Sequence, residues 1–366
     1  MTTTRFGRTD PVDYRALMSG QQRGPVALLM RLGLRIGEAG YRVAIGFRNR
    51  RFDRQSDRVI SLEVPVISVG NVTTGGTGKT PIVAYLARWY RDQGVRVAIV
   101  SRGYGRGDAS ENDEARELHQ RLPDVPHVQD PDRVAAARVT IDELDTQLIL
   151  MDDGFQHRRL GRDLDLVLID VTCPFGFGHL LPRGLLREPL ESLERADAVI
   201  LTRCDQVSES AIDEVIKTVR KHVSNRPIVR STHAASGLLT FPDQIDSVET
   251  LSGARVAVFC GIGNPDAFRH SVDATGAKVT SQKILPDHVD YDRSTVDEIV
   301  AWVRTLGKID ALVCTQKDLV KLQCDRLGGV PVRALTIEAS LEPNEAFEQL
   351  LVGIQRQAEA VETIEW

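Results

Sequence analysis

Apolar positions along this chain follow two rhythms. From residue 62 onward, short apolar runs at 65–69, 95–100, 148–151, 164–169 and 198–201 alternate with stretches patterned like helices. The clearest helical stretch runs from Thr80 to Arg91 and is closed by Gly94. Runs that are apolar at every position suit strands buried on both faces. Their alternation with helices predicts a parallel sheet covered on both sides, an α/β fold. A second set starts near 256–259, continues at 311–314 and closes at 332–337. Between the sets, residues 226–250 contain Pro227, Ser231, Gly237 and Pro242, and a domain boundary is expected there. The N-terminal rhythm differs. Pro25 can open a helix, and Val26, Leu28, Leu29, Met30, Leu32, Leu34, Ile36, Tyr41, Val43, Ile45 and Phe47 follow, punctuated by Arg31, Arg35, Arg42 and Arg48. Gly33, Gly37 and Gly40 weaken helix propensity, which predicts one kinked helix or two short ones. Residues 1–24 are polar and expected to be loose.

Composition narrows the functional classes. The 366 residues are 42% hydrophobic and 27% charged, which excludes a wholly disordered, collagen-like or polytopic membrane chain. Forty-six Lys and Arg against 51 Asp and Glu give a net charge of −5, so no nucleic-acid partner is expected. Against that acidic background, residues 23–58 hold nine Arg and only three acidic residues, Glu38, Asp53 and Asp57. A basic, apolar segment of this kind suits an anionic membrane surface. It equally suits a packing helix with a solvated Arg face. Five cysteines without a C-x-x-C pair read as small buried hydrophobes in a reducing compartment.

The strongest chemical signal is Gly70-Asn-Val-Thr-Thr-Gly-Gly-Thr-Gly-Lys-Thr80, between an expected strand and an expected helix. That is the context of a phosphate-binding loop. Thr73, Thr74, Gly75, Gly76, Thr77 and Gly78 would wrap backbone amides around phosphate oxygens, Lys79 would reach the β- and γ-phosphates, and Thr80 would ligate Mg²⁺. Thr73 stands where the strict pattern has glycine. Asp152 and Asp153 follow four apolar residues, so they sit at a strand's end, where a metal-holding carboxylate belongs. Gln156 and His157 lie beside them. Arg102 and Arg106 flank Tyr104 in Ser101-Arg-Gly-Tyr-Gly-Arg106 and could bind phosphate. Asn112-Asp-Glu114 offers either a general base, through Asp113, or a helix start.

These segments, together with Asp152-Asp-Gly-Phe-Gln-His-Arg158, Leu181-Pro-Arg-Gly-Leu-Leu-Arg-Glu-Pro189, Gly261-Ile-Gly-Asn-Pro265, Pro286-Asp-His288 and Thr315-Gln-Lys-Asp318, resemble the tetraacyldisaccharide 4′-kinases of lipid A biosynthesis. The resemblance implies transfer of the ATP γ-phosphate, with Mg²⁺, to the 4′-hydroxyl of a lipid disaccharide 1-phosphate, giving lipid IVA. It implies two α/β lobes and an N-terminal helix on the inner membrane, hence a peripheral protein on its cytoplasmic face. The expected division is a basic helical membrane-docking segment (1–58), a P-loop kinase lobe (59–235), and a linker with a second α/β lobe (236–366).

Carried over residue by residue, Asp113 aligns with the family's catalytic aspartate and His288 with the histidine that pairs with it from the second lobe. Asp152, Asp153 and His157 align with active-site residues. Arg102, Tyr104, Glu114, Gln156, His157 and Arg187 are the expected substrate contacts, and Thr80 and Asp153 the expected metal ligands. Asn112 replaces a frequent glycine of the family and Val289 a frequent second histidine. Two other classes share the loop: a GTP-driven switch or metallochaperone, and a membrane-surface scaffold with a vestigial site. A switch would read guanine through Asn/Thr-Lys-x-Asp, and in Thr315-Gln-Lys-Asp318 the lysine falls one position late.

Overall fold

The computed structural model describes residues 14–103, 113–287 and 289–361, without the side chains of Ser56, Asp113 and Glu114. The chain opens with α1 (Tyr14–Ser19) and α2 (Pro25–Arg54). Leu17 of α1 is fully buried, so this part of the segment expected to be loose is a packed helix. α2 is one continuous helix of 30 residues, where the glycines predicted a kink or a break. Packing explains the difference at Gly37: a Cβ there would fall 3.0 Å from the ring of Pro182, so the missing side chain is what lets the helix approach. Next door, the Glu38 carboxylate accepts from the Leu180 amide at 3.0 Å and from His179 Nδ1 at 3.1 Å. Tertiary contacts of this kind offset weak propensity.

The first lobe follows: β1 (Val66–Asn71), α3 (Lys79–Asp92), β2 (Val97–Ser101), α4 (Asp113–Arg121), β3 (His127–Gln129), α5 (Arg133–Leu144), β4 (Leu148–Asp152), β5 (Leu164–Asp170), β6 (Ala198–Thr202) and α6 (Glu209–Val219). Then come β7 (Ile228–Thr240), β8 (Gln244–Asp246), β9 (Arg255–Cys260), α7 (Pro265–Ala274), β10 (Lys278–Ile284), α8 (Arg293–Thr305), β11 (Ala311–Thr315), α9 (Gln316–Leu322), β12 (Arg326–Leu327), β13 (Val330–Glu342) and α10 (Glu345–Glu359).

One sheet runs through both halves, in the order β10-β9-β11-β13-β7-β6-β5-β1-β4-β2-β3. Every neighbouring pair along it is parallel except β13 and β7. Those two are the long strands, and their stagger builds the cleft. β6 pairs with the start of β7, at Ile228 to Arg230, whereas β11 pairs with Val332 to Leu335 of β13, which lie opposite the far end of β7. At about 3.4 Å per residue, the two parallel halves are displaced by some 25 Å along the shared pair. Because that pair is antiparallel, the carboxyl ends of the two halves face each other across the gap. Ligands collect at such ends.

The core of the first lobe gathers Ile82, Val83, Leu86, Ala87 and Tyr90 of α3 against β-strand residues. It also takes in Phe347, Leu351 and Ile354 of α10, and the Tyr90 hydroxyl donates to the Leu351 carbonyl at 3.1 Å. The last helix of the chain thus packs with the first lobe, and β7 and β13 belong to both.

Candidate active site

Each part of the loop after β1 is held from outside. The Thr74 amide donates to the Leu185 carbonyl at 2.7 Å, and the Asn71 side-chain amide to the Thr77 hydroxyl at 3.0 Å. From the end of β6, the Thr202 hydroxyl donates to the Thr77 carbonyl and Arg203 to the Gly76 carbonyl, both at 2.9 Å. The Thr74 amide, expected to wrap phosphate, is engaged here, and with these carbonyls engaged the amides after it are left for an anion. Gly78 sits in the left-handed region (φ 80) and starts α3 with no side-chain cap. The helix end therefore keeps open donors and its partial positive charge.

Opposite stands the end of β4. Asp152, 3% exposed, accepts from the Asp153 amide at 2.8 Å. Asp153 has a positive φ of 51, which turns its carboxylate to Lys79 at 3.4 Å and to a two-pronged contact with Arg187 at 2.7 and 3.1 Å. Burial alone would raise the Asp153 carboxyl. Lys79, Arg187 and Arg133 outweigh it and hold the group well below the usual carboxylate range.

The second lobe closes the space. Its Gly263 lies against Gly75 and Gly76. Asn264, the cap of α7, donates to Asp170 at 3.1 Å and to the Thr172 hydroxyl at 3.2 Å at the end of β5. Asp170 also pairs with Arg203, so one carboxylate ties the phosphate loop's anchor to the facing lobe. The enclosed cleft measures about 530 Å³ and is lined by residues 73–81, Arg102, Asp152, Asp153, Arg187, Arg203, His233, Asp287 and Lys317, among others. That size suits a small-molecule ligand.

The comparisons with known proteins agree. The family model described as LpxK, tetraacyldisaccharide-1-P 4′-kinase, matches residues 30–355. The chain belongs to that family. Tetraacyldisaccharide 4′-kinase of Syntrophus aciditrophicus is 36% identical over 361 residues, covering 92% of this chain and 95% of that protein. The enzyme of the same name from Geobacter sulfurreducens is 36% identical over 346 residues, covering 89% and 94%. A crystal structure of LpxK from Aquifex aeolicus in complex with ATP superposes with a TM-score of 0.69 at 31% identity, covering 89% of this chain and 99% of that one.

In this chain, Thr73–Thr80, Arg102, Asp152, Asp153 and Arg187 meet in the cleft. Gln156 and His157 do not line it. The Gln156 side chain is buried and donates to the Asn71 carbonyl at 2.9 Å, bracing the strand that leads into the loop. His157 Nδ1 meets Arg133 at 3.3 Å. Burial, then Arg133 and Arg162, push its imidazole down to about 4, so it is neutral at pH 7. Tyr104, Arg106, Asn112 and His288 lie outside the described residues, as do the side chains of Asp113 and Glu114, although Asp113 is the first residue of α4. The sequence reading missed Arg203, Arg133, His233 and the interlobe role of Asn264. Arg203 had a usable signal, since it follows an apolar strand as Asp152 does.

For a metal, the donor set decides. Among the described residues, no group of three or more His, Cys, Asp and Glu could hold an ion alone. Two carboxylates and the Thr80 hydroxyl beside a phosphate loop suit Mg²⁺, which binds through one or two carboxylates, waters and substrate phosphates. The residues present fit that ion.

Proposed function

We propose that the cleft transfers the γ-phosphate of ATP to the 4′-hydroxyl of a tetraacyldisaccharide 1-phosphate, giving lipid IVA. The observation that carries the reading is the meeting of Lys79, Asp153 and Arg187 on one loop-and-strand-end cleft inside the matched family span. The amides of Thr77 to Lys79 cradle the triphosphate, and Lys79 places its charge on the β- and γ-oxygens. Thr80 and Asp153, with Asp152 beside them, would hold Mg²⁺, which would supply neutralisation of the charge on the phosphates. Arg187 holds Asp153 in place and adds positive charge. Arg102, which lines the cleft, binds the phosphates or the lipid headgroup, and Tyr104 is a further substrate contact in this reading. Gln156 and His157 support the headgroup side from behind the strand end.

Asp113 orients the 4′-hydroxyl and takes its proton, with Glu114 beside it and His288 orienting Asp113 from the second lobe. The hydroxyl oxygen bonds to the γ-phosphorus as the bond from that phosphorus to the β,γ-bridging oxygen breaks, and ADP leaves. The transition state is loose, so positioning and charge matter more than early deprotonation.

α2 docks the enzyme on the membrane. At 100° per residue, Leu29, Leu32, Ile36, Val43 and Phe47 fall within about 60° of arc, and each is at least 55% exposed. The buried Ala27, Glu38 and Ile45 lie on the opposite side. No helix among the described residues is long and apolar enough to cross a membrane. A 30-residue helix lying flat, apolar stripe down with arginines to anionic headgroups, makes a peripheral enzyme. Its place is the cytoplasmic face of the inner membrane, where ATP is available. No nucleic acid is involved.

The guanine-switch reading loses its key residue. Asp318 is 2% exposed, and its oxygens accept from the Gly261 amide, the Tyr291 hydroxyl and Thr315 at 2.6–3.3 Å. No lone pair faces a base. The test is incubation with ATP labelled at the γ-phosphate and tetraacyldisaccharide 1-phosphate in detergent. A labelled lipid is expected. Release of inorganic phosphate alone, with GTP preferred, would overturn the reading.

A further inference from the structure

Asn264 serves both lobes at once. Its side-chain oxygen accepts from the Ala267 amide at 3.2 Å and caps α7 in the second lobe. Its side-chain nitrogen donates to Asp170 at 3.1 Å and to the Thr172 hydroxyl at 3.2 Å, both at the end of β5 in the first lobe. The amide thus gives its acceptor to one lobe and both donors to the other. Asn264 and Asp170 are each 7% exposed. From Asp170 the contact runs on to the phosphate loop, because Asp170 pairs with Arg203 and Arg203 donates to the Gly76 carbonyl at 2.9 Å. Gly263, the residue before Asn264, lies on the same loop: a Cβ there would fall 3.3 Å from the Gly76 amide nitrogen.

A helix cap alone does not require this residue. Ser and Asp cap about as well as Asn, and Ser208 and Asp292 cap α6 and α8 in this chain. An aspartate at 264 would have no N–H for Asp170, and a serine would be too short to reach it.

We infer that Asn264 is a positioning residue for phosphoryl transfer, its side-chain nitrogen latching the second lobe shut on the phosphate loop through Asp170 and Arg203. The inference rests on the kinase reading proposed above. Substrates must enter the cleft and products leave it, so the lobes part in each turnover. Hydrogen bonds suit that duty, because each is exchanged for one to water on opening and its net contribution is small. With the latch made, Asp287 and Lys317 of the second lobe line one cleft with Lys79 and Asp153 of the first.

Three variants separate a latch from a cap. N264D keeps the shape and the capping oxygen but sets a carboxylate against Asp170. N264S keeps the capping oxygen and stops short. N264D/D170N restores a donor and an acceptor with their places reversed, and returns a carboxylate to the neighbourhood of Arg203. In the labelled-lipid assay kcat should fall at least thirtyfold in N264D and about tenfold in N264S, with KM for the lipid within about threefold of wild type. The double variant should recover at least tenfold over N264D. Small-angle X-ray scattering should give N264D a larger radius of gyration than wild type, and the double variant one close to wild type. Wild-type kcat in N264S, a double variant no more active than N264D, or scattering unchanged by N264D would leave Asn264 a helix cap and overturn the inference. Scattering does not depend on turnover, so the expected scattering from a wild-type chain that labels no lipid would overturn the kinase reading and leave the latch standing.

Discussion

Two helices of this protein carry similar apolar content and spend it in opposite ways. α3 turns Ile82, Val83, Leu86, Ala87 and Tyr90 into the core of the first lobe. α2 buries only Ala27, Glu38 and Ile45 and leaves Leu29, Leu32, Ile36, Val43 and Phe47 in solvent. What holds α2 is polar. Glu38 reaches Leu180 and His179, the Tyr41 hydroxyl donates to the Arg187 carbonyl at 3.0 Å, and Asn49 donates to Glu188 at 2.9 Å. A helix bound to its protein by hydrogen bonds, with its greasy side outward, is the kind the proposed membrane docking requires. The contrast also divides the labour. α3 presents its N-terminus to the cleft, whereas α2 leaves its apolar flank in solvent and touches the backbone of the segment carrying Arg187.

The largest break in this comparison comes at the first residue of α3. Lys79→Ala removes the cation that faces Asp153, and turnover should fall about 10³-fold while the apolar core is untouched. Steady-state kinetics with saturating lipid measure it. A loss under tenfold would remove Lys79 from the chemistry. Next in size is the core itself. Leu86→Ala should cost about 2–5 kcal/mol in urea unfolding, because Leu86 is fully buried. Ile36→Ser on α2 should stay within about 0.5 kcal/mol, since Ile36 is 72% exposed. Equal losses in the two would mean that α2 is a core helix after all.

Much of the site was legible from spacing. A Gly-Lys-Thr after an apolar run and before a helical one, and two aspartates closing another run, mark where strands end, and the structure brings both to one cleft. The joining strands were not legible. β7 has Ser231, Gly237 and an alternating burial, because different stretches of it meet β6, β13 and β8; such a strand reads as a polar boundary. The continuity of α2 was hidden as well, since Gly37 weakens a helix in isolation and only the close ring of Pro182 shows its use. Arg203 and His233 reach the phosphate loop from strands distant in sequence, and no local pattern announces a contact made only by the sheet order.

The stripe on α2 sharpens the comparison further. Leu29→Ser combined with Ile36→Ser should cut partition onto vesicles containing anionic phospholipid by about ten- to a hundredfold, with kinase activity on detergent-dispersed lipid retained. Sedimentation with vesicles reads the first quantity and the labelled-lipid assay the second. Unchanged partition would deny the stripe its surface.

The last expected effect is a pH dependence, and it comes from buried groups around the site rather than from the aliphatic stripe of α2. His233 beside Gly78 and His157 beside Arg133 are held neutral down to about 3 and about 4, against 6.5 for a free imidazole. Below pH 6.5 the unfolded chain therefore binds protons that the folded chain refuses. Stability contributed by each histidine is fully present above 6.5 and lost as the pH falls toward those values, at up to about 1.4 kcal/mol per pH unit. Asp165 works the other way. Burial raises it to about 6, ahead of the lowering by Arg162, so the folded chain takes up a proton there first and offsets one histidine below that pH. The wild-type slope should accordingly approach that of about one net proton between pH 6 and 5, two histidines less one carboxyl. H233Q should be shallower by about half a proton at pH 6.5 and by close to one proton from 5.5 to 4. Urea unfolding at half-unit pH steps compares the two slopes, and if they coincide, His233 is not a neutral buried ring in the folded protein.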